Sequence, residues 1–356
     1  MPDASNTVDF GIFDWIDYNS GLNLPELYEQ RLRMLEYADE AGFWCYHLAE
    51  HHGTPLGMAP APNLFLAAAA QRTTRLRLGP LVQLLPLSNP LRNIEEVCVL
   101  DGLSNGRLEL GVGRGISAPE LALYGLTSAE ARARFDECLE ILVMGLATGF
   151  VNYEGQFYKY DNVKMPVRPV QQPYPPLWYP TSNVSTVPWI AEHGFSSLFG
   201  FSLTTLEEAA AAFREHRALS ASKAGRGHRL NGHVTQPRFG VSRHIYVAET
   251  DEKALEVART AYTAFDANFT ERPAVRLAAS RRGDFDTALA AGSIYAGTPA
   301  TVRDKIQAFV DATGANYFAA VFAYGNLTTD QILGSMRLFA EEVMPNLRPA
   351  YTSAVT

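Results

Sequence analysis

The residues best suited to chemistry cluster first at 45–53, CYHLAEHHG, where His47, Glu50 and His51 have the spacing H-x-x-E-H. On a helix that spacing sets two imidazoles on one face and is a zinc-peptidase signature. The neighbouring residues argue for a strand instead. Phe43, Trp44, Cys45 and Tyr46 favour extended backbone, and Gly53-Thr54-Pro55 would stop a helix at once. Along a strand His47 and His51 share a face but stand more than about 12 Å apart at ~3.3 Å per residue, too far for one metal ion. His47 and His52 then read as structural histidines. His51, at the strand end beside Glu50, has the place and chemistry of a general base or of a donor to a cofactor.

A second group lies at 111–115, GVGRG. It lacks the third glycine of G-x-G-x-x-G, and the ISAPELALYG that follows is not an obvious long helix, so the dinucleotide fingerprint is incomplete. As a strand end, its glycines let a flat ligand approach the backbone. Arg114 offers an always-charged fork suited to phosphate or carboxylate, or else to a salt bridge with a neighbouring loop. A third group, in LWYPTSNVSTVPWIAEHG, sets Ser182, Asn183, Ser185 and Thr186 between a strand and a helix, where backbone amides and the positive dipole end can hold a phosphate. Plain capping accounts for one of these side chains; three or four invite a ligand. GPLVQLLP reads as core packing at most positions, and Phe13, Trp15, Phe199 and Phe201 as either core or the wall of a planar-ligand site.

What must position these groups is a series of short apolar or β-branched runs alternating with helical ones, the pattern of βα units on a parallel sheet. Strands are expected at 8–15, 43–50, 75–85, 107–115, 177–182, 196–201, 238–249 and 316–324. Pro25 opens the first helix and Gly42 is a suitable stop; Thr127 and Glu130 form a capping box for another. Two segments interrupt the alternation: about 150–176, rich in aromatics, Pro and Gly and read as hairpin-like, and about 270–297. The pattern predicts a (β/α)8 TIM barrel with insertions after strands 4 and 7, one domain over 1–356. An open doubly wound sheet, the rival, usually stops at five or six strands. In a barrel the reactive residues sit at the C-terminal strand ends, where all three groups fall.

The bulk properties narrow the partners. The chain has 356 residues, 47% hydrophobic and 19% charged, and a net charge of −8, which disfavours nucleic acid and anionic membrane surfaces. Cys45, Cys98 and Cys138 are odd in number and widely spaced, as reduced thiols are. The N-terminus MPDASNTVDF has no basic or apolar leader, and no window reaches the ~18 apolar residues of a membrane span. A cytoplasmic protein is expected.

With these residues assembled, the chain resembles the bacterial luciferase-like flavin monooxygenase family. The resemblance is carried in order by LAEHH, LPLSNPLRNIEEVCVLDGLSNGRLELGVGRG, PPLWYPTSNVSTVPWIAEHG, VAETDEKA, YAGTPATVRDKI and MRLFAEEVMP. It implies a two-component reaction. A flavin reductase supplies reduced FMN as co-substrate, and O2 adds to give a peroxyflavin that oxygenates an apolar small organic substrate. By matching positions, His51 resembles the active-site histidine, Arg114 the phosphate-binding arginine, and Ser182, Asn183, Ser185 and Thr186 the rest of the phosphate site. Leu81 and Val82 match a strand-three pair often joined by a cis peptide beneath the flavin ring, with Gly113 and Phe201 near that ring. Gly113 stands where luciferase has a reactive cysteine and Ser182 where it has a glutamate, so light emission from a long-chain aldehyde is not implied. The same barrel also serves deazaflavin F420-dependent hydride transfer, and some relatives are non-catalytic flavin-binding proteins. The resemblance further implies a homodimer through helices two and three, the second carrying the small residues Ala67 to Ala70.

Overall fold

The computed structural model describes residues 8–201, 206–221, 229–271 and 284–348. The elements in order are β1 (Asp9–Asp14), α1 (Leu24–Ala41), β2 (Cys45–Leu48), α2 (Pro62–Arg72), β3 (Arg77–Pro80), β4 (Gln83–Leu84), α3 (Pro90–Leu103), β5 (Leu110–Gly113), α4 (Ala118–Leu123) and α5 (Ser128–Thr148). They continue as β6 (Phe150–Glu154), β7 (Lys159–Lys164), β8 (Leu177–Trp178), α6 (Val187–His193), β9 (Ser197–Phe201), α7 (Leu206–Ala221), β10 (Phe239–Val247) and α8 (Asp251–Thr270). The last are α9 (Phe285–Ala290), β11 (Ile294–Gly297), α10 (Pro299–Thr313), β12 (Tyr317–Val321) and α11 (Thr329–Leu338).

Local signals set many boundaries. Asn23 and Glu26 form a reciprocal capping box at the start of α1, with Pro in the first turn, and Gly42 ends the helix at φ 83°. Thr127 and Glu130 do the same for α5. The sheet is parallel. β1 lies between β12 and β2, β2 pairs with β3, and β10 pairs with β9 and β12. β5 pairs with β4 and β8. Bridges at Leu78–Leu108, Trp178–Ser196 and Thr181–Phe199 carry the pairing across the two remaining gaps, so the sheet curls round on itself as a TIM-barrel-like α/β fold.

Two sequence expectations change. The third strand, expected at 75–85, is broken into β3 and β4; the peptide between Leu81 and Val82 at the break is cis, as the family resemblance implies. The segment at about 270–297, expected as an insertion, ends in a strand, β11, which pairs in parallel with the C-terminal half of β10. The four residues Ile294–Gly297 are too short a run to stand out by periodicity. Residues 272–283 of that segment lie outside the described ones. The other interruption contains the antiparallel hairpin β6–β7, as expected. No helix among the described residues is long and apolar enough to cross a membrane.

The barrel interior is filled by large side chains. His47 of β2 hydrogen-bonds Tyr317 of β12 at 2.9 Å and lies 4.6 Å, ring to ring, from Trp178, whose indole N–H donates to Glu109 at 2.6 Å. Burial, with Arg238 adding to it, pushes His47 down to about 3, so its imidazole is neutral near pH 7. Gly79 lets β3 approach the start of β5: a Cβ there would sit 1.8 Å from the Glu109 carbonyl oxygen.

Asp39 fastens α1 to the turn before β3. Its carboxylate accepts N–H bonds from Thr74, Arg75 and Leu76 at 2.9, 2.6 and 2.5 Å, and the Thr74 hydroxyl at 3.0 Å. Burial alone would raise this acid, but the amides of Leu76, Thr74 and Arg75 win and hold it below its ordinary 3.8. A carboxyl depressed in the folded state stabilises above its unfolded pKa, and that contribution is lost as pH falls through the folded value. Asp39→Asn is therefore expected to lower the unfolding free energy by about 1–3 kcal/mol at neutral pH. Denaturant titrations should show the gap between parent and variant closing below about pH 4. A gap that stays constant to pH 3 would show that the charge contributes nothing.

Candidate active site at the mouth of the barrel

A cavity of about 560 Å³ opens at the C-terminal ends of the strands. It brings together eight of the residues singled out in the sequence: His51, Leu81, Val82, Gly113, Arg114, Ser182, Asn183 and Thr186. Phe13 and Trp15 from the end of β1 also face it, whereas Phe199 is buried near Phe239 with ring centroids 6.4 Å apart. β9 runs through Phe201, which pairs with Ser242, but the Phe201 side chain lies outside the described residues. Ser185 is exposed and does not line the cavity.

The three members of the H-x-x-E-H spacing meet different partners. His47 is in the barrel interior on Tyr317. Glu50 accepts from His52 Nε2 at 2.9 Å through one oxygen and from the Leu84 N–H at 3.0 Å through the other. His51 Nδ1 lies 3.1 Å from Glu120 Oε2, and the Tyr124 hydroxyl is 2.9 Å from His52 Nδ1. Among the described residues no three His, Cys, Asp or Glu side chains are grouped as a metal-ligand set.

Glu120, Tyr124 and the apolar wall residues Leu84, Leu87, Ile116 and Leu121 were not singled out in the sequence. Glu120 and Tyr124 belong to ISAPELALYG, which folds as the six-residue helix α4 and the turn after it. No periodicity marks so short an element. The one available signal was an acidic residue just beyond a charged strand end.

Across the cavity Arg114 follows β5 and is half-buried. Among the described residues its guanidinium makes no hydrogen bond or ion pair, so the neighbouring-loop salt bridge is not found there. It acts on Tyr179: burial raises that phenol, while Arg114 and Arg132 pull it back. Gly113 leaves room for Val82, since a Cβ at 113 would lie 2.3 Å from Val82 Cγ2.

The polar segment after β8 divides its work. Asn183 Oδ1 accepts the Ser185 N–H at 3.0 Å and the Ser185 hydroxyl at 2.9 Å, closing the 3-10 turn Val184–Thr186 that leads into α6. Asn183 and Ser185 therefore cap that turn, while Ser182, Asn183 and Thr186 line the cavity. Thr181 supports the arrangement by accepting the Asn183 N–H at 3.0 Å.

The profile of the luciferase-like monooxygenases matches residues 8–316. The chain belongs to this family. It is 36% identical over 338 residues to an uncharacterized protein, y4wF, of Sinorhizobium fredii, covering 94% of this chain and 96% of that one. The oxygenase component of a flavin-dependent trigonelline monooxygenase from Acinetobacter baylyi is 26% identical, over 64% of this chain and 62% of its own. Among solved structures, monooxygenase RslO1 from Streptomyces bottropensis superposes with a TM-score of 0.82 at 28% identity, covering 95% of this chain and 99% of that one. As a luciferase-like monooxygenase the chain is an oxygenating enzyme of the flavin-dependent kind.

Proposed function

We propose that the cavity binds reduced FMN delivered by a separate flavin reductase, and that the enzyme uses it with O2 to oxygenate an apolar small organic molecule. The observation that carries this reading is the guanidinium of Arg114, without a hydrogen bond or ion pair among the described residues and lining the same cavity as His51 and a largely apolar wall. The donor set suits the group. A guanidinium with the hydroxyls of Ser182 and Thr186 matches a phosphate, with Asn183 and Ser185 fixing the turn that presents them. Gly113, Leu81 and Val82 shape the wall for a flat ring.

When bound, reduced flavin would supply the two electrons that activate O2, and O2 the oxygen atom transferred, its second atom leaving as water. The chain's own part is to bind it, to exclude water with Leu84, Leu87, Ile116, Leu121 and Phe269, and to hold or move a proton at the His51 imidazole. Those wall residues carry no charge, which is why the proposed substrate is apolar. The family resemblance and the exposed Leu64, Val99 and Leu103 on α2 and α3 support a homodimer, checked by sedimentation. The three cysteines are free and buried, in keeping with a cytoplasmic setting.

The test is anaerobic titration with reduced FMN, followed by rapid mixing with oxygen while absorbance is recorded. Tight binding and a transient spectrum that outlasts the one given by free reduced flavin are expected. Re-oxidation at the free rate would sink the oxygenase reading. Tight binding of reduced F420 in place of FMN would point to oxygen-independent hydride transfer, and binding without turnover of either to a flavin-binding protein.

A further inference from the structure

His51 and His52 are consecutive, yet each is held by a carboxylate from a different place. His52 is held by Glu50 of its own segment, and His51 by Glu120 of α4, 69 residues away in sequence. Both members of the second pair are largely shielded, with side chains 15% and 8% exposed for His51 and Glu120. We infer that Glu120 is the positioning residue of His51. A carboxylate oxygen only accepts, so His51 Nδ1 donates to it, which fixes the ring in the Nδ1–H tautomer and makes Nε2 the nitrogen that takes or gives a proton. What His51 then does in turnover rests on the oxygenase reading; the pair itself does not.

The same Glu120 Oε2 also accepts the His52 backbone N–H at 3.1 Å. A backbone N–H only donates, so an acceptor has to stand at that point. In Glu120→Gln the amide must therefore turn its oxygen, and not its NH2, toward His52 and His51. That variant loses the negative charge but keeps the tautomer, whereas Glu120→Ala loses both. Orientation and charge are thus separable at one position.

Nitrogen-15 NMR of histidine-labelled full-length protein, without flavin and at a pH where the imidazoles are neutral, reads the tautomer directly, with His51→Gln assigning the signal. The Nδ1–H form is expected in the parent and in Glu120→Gln, and a mixed or Nε2–H form in Glu120→Ala. In turnover, Glu120→Ala should lose roughly 10- to 100-fold in kcat, with the Kd for reduced FMN within about twofold, and Glu120→Gln should lose less. A parent ring protonated on Nε2, a tautomer that flips in Glu120→Gln, or one unchanged in Glu120→Ala would each overturn the assignment. If the tautomer pattern holds while no oxygen chemistry is found, the pair stands and the oxygenase reading falls. If oxygen chemistry is found without the tautomer pattern, the reverse is true.

Discussion

Replacing His51 with alanine should lower turnover by roughly 10²- to 10⁴-fold, the usual contribution of a positioned proton-transfer group, while leaving affinity for reduced FMN within about threefold. The expectation comes from where the ring is placed. It lines the cavity just beyond β2 and one nitrogen is fixed by Glu120, and in the proposed reaction the other handles the proton. Loss of an interaction made only during reaction lowers kcat without weakening ground-state binding. Steady-state kinetics together with anaerobic flavin titration separates the two effects. A fall in flavin affinity as large as the fall in kcat would make His51 a cofactor ligand and not a proton handler.

Arg114→Ala should weaken binding of reduced FMN by about 10- to 150-fold, the equivalent of ~1.5–3 kcal/mol for lost charge-assisted hydrogen bonds. The argument is that an arginine with no partner among the described residues, half-buried at the mouth of a cavity, is held ready for an anion. Reduced riboflavin, which lacks the phosphate, supplies the control: its affinity should be the same in parent and variant. Arg114→Lys should recover part of the loss, because an ammonium keeps the charge but not the two-pronged geometry. Equal binding of FMN by parent and Arg114→Ala would remove the phosphate assignment, and an equal loss for riboflavin would move Arg114 to the ring.

The part of this site that was legible in the sequence is the part carried by strand ends. His51 and Arg114 are each the charged or titratable residue just past a short β-favouring run, and the barrel pattern brings such ends together. What escaped notice depends on contacts that local periodicity does not encode. Glu120 reaches His51 from a six-residue helix, and Phe269 comes to the wall from the far end of α8. Asn183 and Ser185 show another limit. Hydroxyl and amide side chains before a helix have the same composition whether they face a ligand or one another, and here these two face one another. The cis peptide at Leu81–Val82 has no proline to announce it; only the family resemblance carries that expectation, and the bond is cis where β3 and β4 part. β11 was missed because four residues give too little pattern.

That small strand has a larger meaning for the mouth of the barrel. All nine residues of β10 are buried, and the strand serves three neighbours, β12 along one edge and β9 then β11 along the other, with His244 opposite both Val321 of β12 and Ile294 of β11. A slip of one residue would turn its side chains over along both edges at once, so three partners hold it to a single frame. The excursion that leaves β10, brings Phe269 to the cavity and returns as β11 is therefore tied at both ends to the same ruler. Whatever substrate the enzyme takes, this side of its entrance is measured from one strand.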